Sequence, residues 1–181
     1  AGEVLVPGAT GGVGSLAVAI LARAGYTVVA ATGKPHERDF LMRLGARDVI
    51  ARDTLKANAD KPLLAARWAA VVDTVGGDTL GAVLKAIKPH GAATTCGMVD
   101  GTALNTTVYP FILRGIALLG VDSAATPMPQ RLDVWRRLAG DWKPTQLDAL
   151  ARECPLSAIG PEIAAMLEGK MRGRVLVNVQ R

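Results

Sequence analysis

The sequence predicts an α/β protein: a doubly wound, parallel, six-stranded sheet in the order 3-2-1-4-5-6, followed by a C-terminal extension of helices and strands. Two observations carry this. Short, continuously apolar runs alternate with helical stretches, and runs without polar alternation belong to strands buried on both faces, as in a parallel sheet covered by helices. Second, the first apolar run, Val4-Leu5-Val6, passes through a glycine cluster straight into the helical stretch Leu16 to Ala24, which Gly25 closes.

The remaining elements follow in order. Tyr26 to Thr32 reads as a second buried strand ended by Gly33, and Glu37 to Leu44 as a helix closed by Gly45. Asp48-Val49-Ile50 is the third strand. Between Ala51 and Arg67 the pattern is weak, with Pro62 to Ala66 fitting a helical turn. Ala69 to Asp73 is the fourth strand, and Asp78 is positioned to cap a helix running through Ile87. Gly91 to Cys96 and Ile116 to Val121 complete the sheet. Beyond about Pro127 the alternation changes. Arg131 to Leu138 is amphipathic, Leu147 to Cys154 fits a strand, Pro161 to Leu167 a helix with proline in its first turn, and Arg174 to Val179 a strand. A seventh apolar strand suits a sheet already six wide poorly, so residues 1–126 and 127–181 are expected to belong to different domains.

Half of the residues are hydrophobic, enough for a substantial core. No apolar run reaches the ~20 residues of a membrane span, and Ala1-Gly2-Glu3 lacks the basic start and apolar core of a signal peptide, so the expectation is a cytoplasmic protein without membrane partners. Cys96 and Cys154 match neither a zinc pattern nor a disulfide framework, and no metal site is predicted. The net charge of +5 comes without a basic motif interleaved with aromatics, which argues against nucleic acid. A smaller polyanion, a phosphorylated nucleotide or an acyl-CoA, accounts for it equally well.

The chemistry is expected at the carboxyl ends of the strands: Gly8 to Val13, Thr32 to Lys34, Ala51 to Arg52, Asp73 to Val75, Gly97 to Met98 and Asp122 to Ser123. Glycines that let a phosphate approach backbone N–H groups, followed at once by a helix N-terminus, suit a pyrophosphate and hence a dinucleotide. Three spacings fit: Gly8/Gly11/Gly14, Gly8/Gly12/Gly14 and Ala9/Gly11/Gly14. An NAD site places an acid about twenty residues beyond the glycines to accept the ribose hydroxyls, yet no acid lies between Gly14 and Glu37. Thr32-Gly33-Lys34 stands there instead. Arg52, just past the neighbouring third strand, is within reach of the same point. Two cations and no carboxylate suit the 2′-phosphate of NADPH.

Gly8-Ala9-Thr10-Gly11-Gly12-Val13-Gly14-Ser15, Thr32-Gly33-Lys34, Val72-Asp73-Thr74-Val75-Gly76, Thr107 to Gly115, Leu119 to Ser123 and Gly173-Arg174-Val175-Leu176-Val177 together resemble the zinc-free medium-chain dehydrogenase/reductases, and within them the NADPH-dependent acryloyl-CoA reductase and quinone oxidoreductase-like family. The resemblance implies a Rossmann domain plus a return segment of a longer enzyme, whose barrel-like N-terminal catalytic domain precedes Ala1. It implies that Thr10, Gly11, Gly12 and Val13 hold the pyrophosphate, that Thr32, Gly33, Lys34 and Arg52 hold the 2′-phosphate, and that Met98, Ile112 and Ser123 line the nicotinamide side. Pro7 stands where the family usually has a hydroxyl residue. The implied activity is hydride transfer from NADPH to an activated alkene such as acryloyl-CoA, with an NADPH:quinone oxidoreductase or a non-enzymatic NADPH sensor as alternatives. The present residues alone are expected to bind cofactor without appreciable turnover.

No residue is a persuasive proton donor. His36 and His90 fall in surface turns, and Cys96 and Asp73 are explained by packing and loop capping. The Tyr-x-x-x-Lys of short-chain dehydrogenases is missing, because Ala30 and Leu113 stand four positions after Tyr26 and Tyr109. The sixth strand is too apolar for a bare sheet edge, and relatives pair that edge across a two-fold axis, so a homodimer is expected.

Overall fold

A computed structural model describes residues 2–181. Its main sheet has six parallel strands in the order β3-β2-β1-β4-β5-β6, with β1 Glu3–Pro7, β2 Thr27–Thr32, β3 Asp48–Ala51, β4 Trp68–Asp73, β5 Ile87–Thr95 and β6 Ala117–Gly120. The helices on its faces are α1 Gly12–Arg23, α2 Arg38–Arg43, α3 Gly77–Leu84 and the short α4 Tyr109–Arg114.

Neighbouring residues of the central strands point to opposite faces. Leu5, Val29 and Val71 join Leu80, Val83, Leu84 and Ile87 in one core, whereas Val6, Val28 and Ala30 join Val18, Ala19, Phe40, Leu41 and Leu44 in the other. Two cores, one per face, are what a continuously apolar strand is for, and they fix β1 and β2 as the floor of the site.

Pro7 fits this frame without a backbone N–H. It closes β1 opposite Ala31, its carbonyl accepts the Thr74 hydroxyl at 2.8 Å, and the ladder to Ala31 is continued by the Ala9 amide at 3.1 Å.

Four local expectations are corrected. Residues 62–66 are not helical; they form an irregular segment tied down by the Leu64 and Arg67 amides, which donate to the carbonyls of Lys85 and Ala86. Asp78 does not cap α3, since Gly76 is the N-cap with no side-chain bond, and Asp78 instead accepts from Asn105 Nδ2 at 2.9 Å. The loop before α3 is closed by buried Asp73, whose carboxylate accepts the amides of Val75 and Gly76. Helix α3 stops at Leu84, and Ile87 already begins β5. Finally, Leu147 to Cys154 is divided: Leu147–Leu150 is a single helical turn (α6), because Leu150 turns into the core beside Val18, and only Ala151–Pro155 is strand (β7).

The C-terminal residues also supply α5 Met128–Ala139, α7 Ile159–Leu167 and β8 Arg174–Asn178. Strand β8 lies outside the main sheet, paired in parallel with β7 alone.

Candidate nucleotide-binding site

Because all six strands are parallel, their carboxyl ends open on one edge, and the turn between β1 and α1 is the centre of that edge. Gly8 adopts φ +69°, and a Cβ there would meet Thr74 Oγ1 at 2.5 Å and Val75 Cγ1 at 2.7 Å. Its carbonyl accepts the Gly11 amide at 3.0 Å. Gly14 packs against the same carbonyl so tightly that a Cβ would stand 2.3 Å from the oxygen. Gly8 and Gly14 therefore build the turn, while Gly11 is the N-cap in extended conformation.

The mouth of α1 is prepared for an anion. Gly12, Val13 and Gly14 occupy its first three positions, where amides have no intrahelical acceptor. No side chain caps it and no acid lies in its first turn. Arg174 closes the other side: a Cβ on Gly12 would lie 2.6 Å from its Nε. The adjacent Gly173 amide donates to the Thr10 carbonyl at 2.9 Å, so β8 enters directly over the turn. Free amides, positive helix end and guanidinium form a donor set that fits a pyrophosphate.

Beneath the turn, the buried hydroxyls of Thr10 and Thr32 lie 3.3 Å apart, and Thr32 Oγ1 also accepts the Lys34 amide at 3.0 Å. This couples the ends of β1 and β2. The Arg52 guanidinium stands over Gly33, 3.4 Å from where a Cβ would be. Lys34 behaves differently: its Nζ donates to the carbonyl of Met171, three residues before Arg174. Burial holds its pKa below the usual lysine value, against the opposing field of Glu37.

Met98 and Ser123 are exposed just beyond β5 and β6. The Ser123 carbonyl accepts Arg131 Nη2 at 2.6 Å, and Asp122 caps the following turn through the amides of Ala124 and Ala125. Ile112 is exposed on α4, whose Arg114 is anchored to the carbonyls of Leu64, Lys85 and Ile87. Cys96 donates its thiol to the Asp73 carbonyl at 3.4 Å, and burial with the Asp73 charge pushes its pKa up, so a thiolate is disfavoured. Among the described residues, no group of three or more His, Cys, Asp or Glu side chains is arranged to hold a metal ion.

Neither spacing nor periodicity singles out the contributions of Arg174, Gly173 and Met171 to this edge. Their only signal in the sequence is the Gly173-Arg174-Val175 run within the family resemblance.

A parallel sheet whose first crossover presents unpaired amides and a guanidinium defines a dinucleotide-binding α/β domain. The chain belongs to the family described as zinc-binding dehydrogenase, whose profile matches residues 12–137. It is 44% identical, over 98% of its length and 54% of the relative's, to the acrylyl-CoA reductase AcuI of Ruegeria pomeroyi. It is 42% identical, again over 98% of its length and 54% of the relative's, to the putative quinone oxidoreductase YhfP of Bacillus subtilis. The crystal structure of YhfP with NAD bound superposes with a TM-score of 0.93. So does that of Escherichia coli K-12 YhdH with bound NADPH, at 41% identity over 98% of this chain and 55% of that one. The chain thus spans about half the length of the relatives it matches.

Proposed function

We propose that these residues are the cofactor-binding part of a zinc-free, NADPH-dependent reductase acting on an activated alkene such as acryloyl-CoA. Residues 1–126 form its nucleotide domain and residues 127–181 its return segment toward a catalytic domain. The observation that carries this reading is the pairing of an acid-free helix mouth under Arg174 with Lys34 just past β2 and Arg52 just past β3, the latter over Gly33. The identity to AcuI supports the enoyl-CoA substrate. The comparable identity to YhfP favours a quinone as the second reading.

In this reading the amides of Gly12 and Val13, with Arg174, hold the diphosphate, while Gly11, its own amide committed to the Gly8 carbonyl, shapes the helix mouth as the N-cap. Thr10 and Thr32 keep the two strand ends in register. Gly33 leaves room for the 2′-phosphate, which Arg52 and Lys34 neutralise, and Met98, Ile112 and Ser123 form the apolar and hydroxyl border of the nicotinamide. The reduced cofactor, when bound, supplies the hydride to the β-carbon of the alkene. This chain's share is placement and electrostatics. Two unpaired thiols, Cys96 and Cys154, suit a reducing cytoplasm. The exposed apolar edge of β6 suits a homodimer.

The test is NADPH oxidation by the full-length enzyme with acryloyl-CoA and with a quinone, read at 340 nm. Turnover of the enoyl-CoA supports the first reading. Turnover of the quinone alone moves the assignment to the second, and nucleotide binding without turnover of either makes the protein a sensor.

A further inference from the structure

Glu37 is the first carboxylate in the chain after the glycine turn, and it is held three residues beyond Lys34 by its own amide, which donates to the Lys34 carbonyl at 3.0 Å. Its side chain is only 13% exposed. A carboxylate at the end of the second strand is the group that accepts ribose hydroxyls in an NAD site, and it repels a phosphate placed there. Here it is engaged from outside the sheet. Arg172 Nη1 donates to Glu37 Oε2 at 3.1 Å, and the Arg172 guanidinium lies 4.8 Å above the Phe40 ring. The residue before it, Met171, gives its carbonyl to Lys34. His36 Nε2, largely exposed, lies 3.8 Å from Oε1, the field of Glu37 reaches Lys34, and Arg152, Lys170 and Arg174 line the same cavity as Glu37.

We propose that Arg172 is a positioning residue for cofactor selectivity: by neutralising Glu37 from the return segment, it stops that carboxylate from competing with a 2′-phosphate for Lys34 and from favouring the unphosphorylated nucleotide. The proposal rests on the nucleotide reading above and deepens it. Without Arg172, Glu37, at the end of the turn Pro35–Glu37 that follows β2, would act uncompensated on Lys34, which already feels its field, and both effects would lower the preference for NADPH over NADH. The contribution is to selectivity rather than stability. Arg172 is 48% exposed, and an ion pair in that setting adds little to folding.

The experiment is titration of NADPH and NADH against the wild type, Arg172→Ala, Arg172→Lys, Glu37→Gln and the double variant Arg172→Ala/Glu37→Gln. Binding is read by fluorescence or calorimetry at one fixed pH for all variants. Arg172→Ala is expected to reduce the NADPH:NADH affinity ratio by about five- to tenfold, the scale of one uncompensated charge beside a partly screened site. Arg172→Lys keeps most of the ratio, Glu37→Gln keeps or raises it, and the double variant restores it. An unchanged ratio in Arg172→Ala overturns the proposal. So does a loss that Glu37→Gln does not reverse, which would make Arg172 a direct phosphate ligand. If the wild type shows no preference for NADPH, the cofactor reading itself fails and the proposal falls with it; a wild type that prefers NADPH alongside an unresponsive Arg172→Ala leaves the reading standing and removes only the proposal.

Discussion

Arg174 lies across Gly12, its Nε 2.6 Å and its Cδ and Cζ 2.8 Å from where a Cβ would project, so the last strand of the chain forms one wall of the turn that the first strand opens. The contact is between a glycine and the end of a flexible side chain. Gly14, two residues on, meets only backbone: the Gly8 carbonyl at 2.3 Å.

That difference separates two alanine substitutions. Gly14→Ala forces helix α1 away from the turn and is expected to cost about 1–3 kcal/mol, several degrees in Tm. Gly12→Ala displaces a movable guanidinium and should leave Tm within a degree or two while weakening nucleotide binding. Equal losses of Tm in the two variants would show that Arg174 is as rigid as backbone.

Arg174→Ala removes a cation from the diphosphate, which NADH and NADPH share. Both affinities should fall by about tenfold or more, the worth of a charge-assisted hydrogen bond, with their ratio unchanged. Titration of the two nucleotides reads this directly. A change in the ratio would move Arg174 to the adenosine end.

Arg52 and Lys34 should differ. Arg52 stands over Gly33, so Arg52→Ala is expected to weaken NADPH and spare NADH. Lys34 also holds the Met171 carbonyl, next to the residues that reach Thr10 and Gly12. Lys34→Ala should therefore weaken NADPH most and NADH measurably, and the double variant should lose discrimination. Retained discrimination in the double variant removes the 2′-phosphate assignment.

How much of this was legible in the sequence follows from range. The strand order, the crossover glycines and the cations at the ends of β2 and β3 lie within contiguous motifs, where local pattern and chemistry agree. Arg174, Met171 and the Arg172–Glu37 pair depend on the far end of the chain returning over α1, which no local periodicity encodes. Asp78 illustrates the other limit. It has the right type and position for a cap, but Asp73 had already closed the loop from inside the fold. The split of Leu147 to Cys154 is likewise a tertiary effect, set by Leu150 entering the core.

Acid stability should report on Asp100. Its carboxylate accepts the Thr79 amide and hydroxyl at 2.9 and 2.7 Å and pairs with Lys56 at 2.8 Å. These partners outweigh partial burial and hold its pKa at about 2, below the ordinary 3.8. A carboxyl with a depressed folded pKa adds stability that is fully present above about pH 4 and is lost as pH falls toward 2. Asp100→Asn should cost about 1–2 kcal/mol near neutrality, allowing for screening of the partly exposed pair, and the two stability curves should converge near pH 2. Parallel curves down to pH 2 would count against the assignment.

The free edge of the sheet gives the last prediction. The Val121 amide donates inward to the Thr95 carbonyl at 3.0 Å, so by strand alternation the backbone groups of Gly120 point outward, away from β5. Leu119 and Val121 are 53% and 50% exposed beside them. A bare strand end with apolar side chains is a surface for pairing with another strand, and a two-fold axis would bring a second β6 against it. Gly120→Pro deletes one outward N–H without touching a bond to β5, and a Cβ at this position meets nothing within 4 Å. The monomer fold should therefore survive, with unchanged circular dichroism, while light scattering reports half the wild-type mass. A wild type that is monomeric at high concentration, or a Gly120→Pro protein that remains dimeric, would place the interface elsewhere.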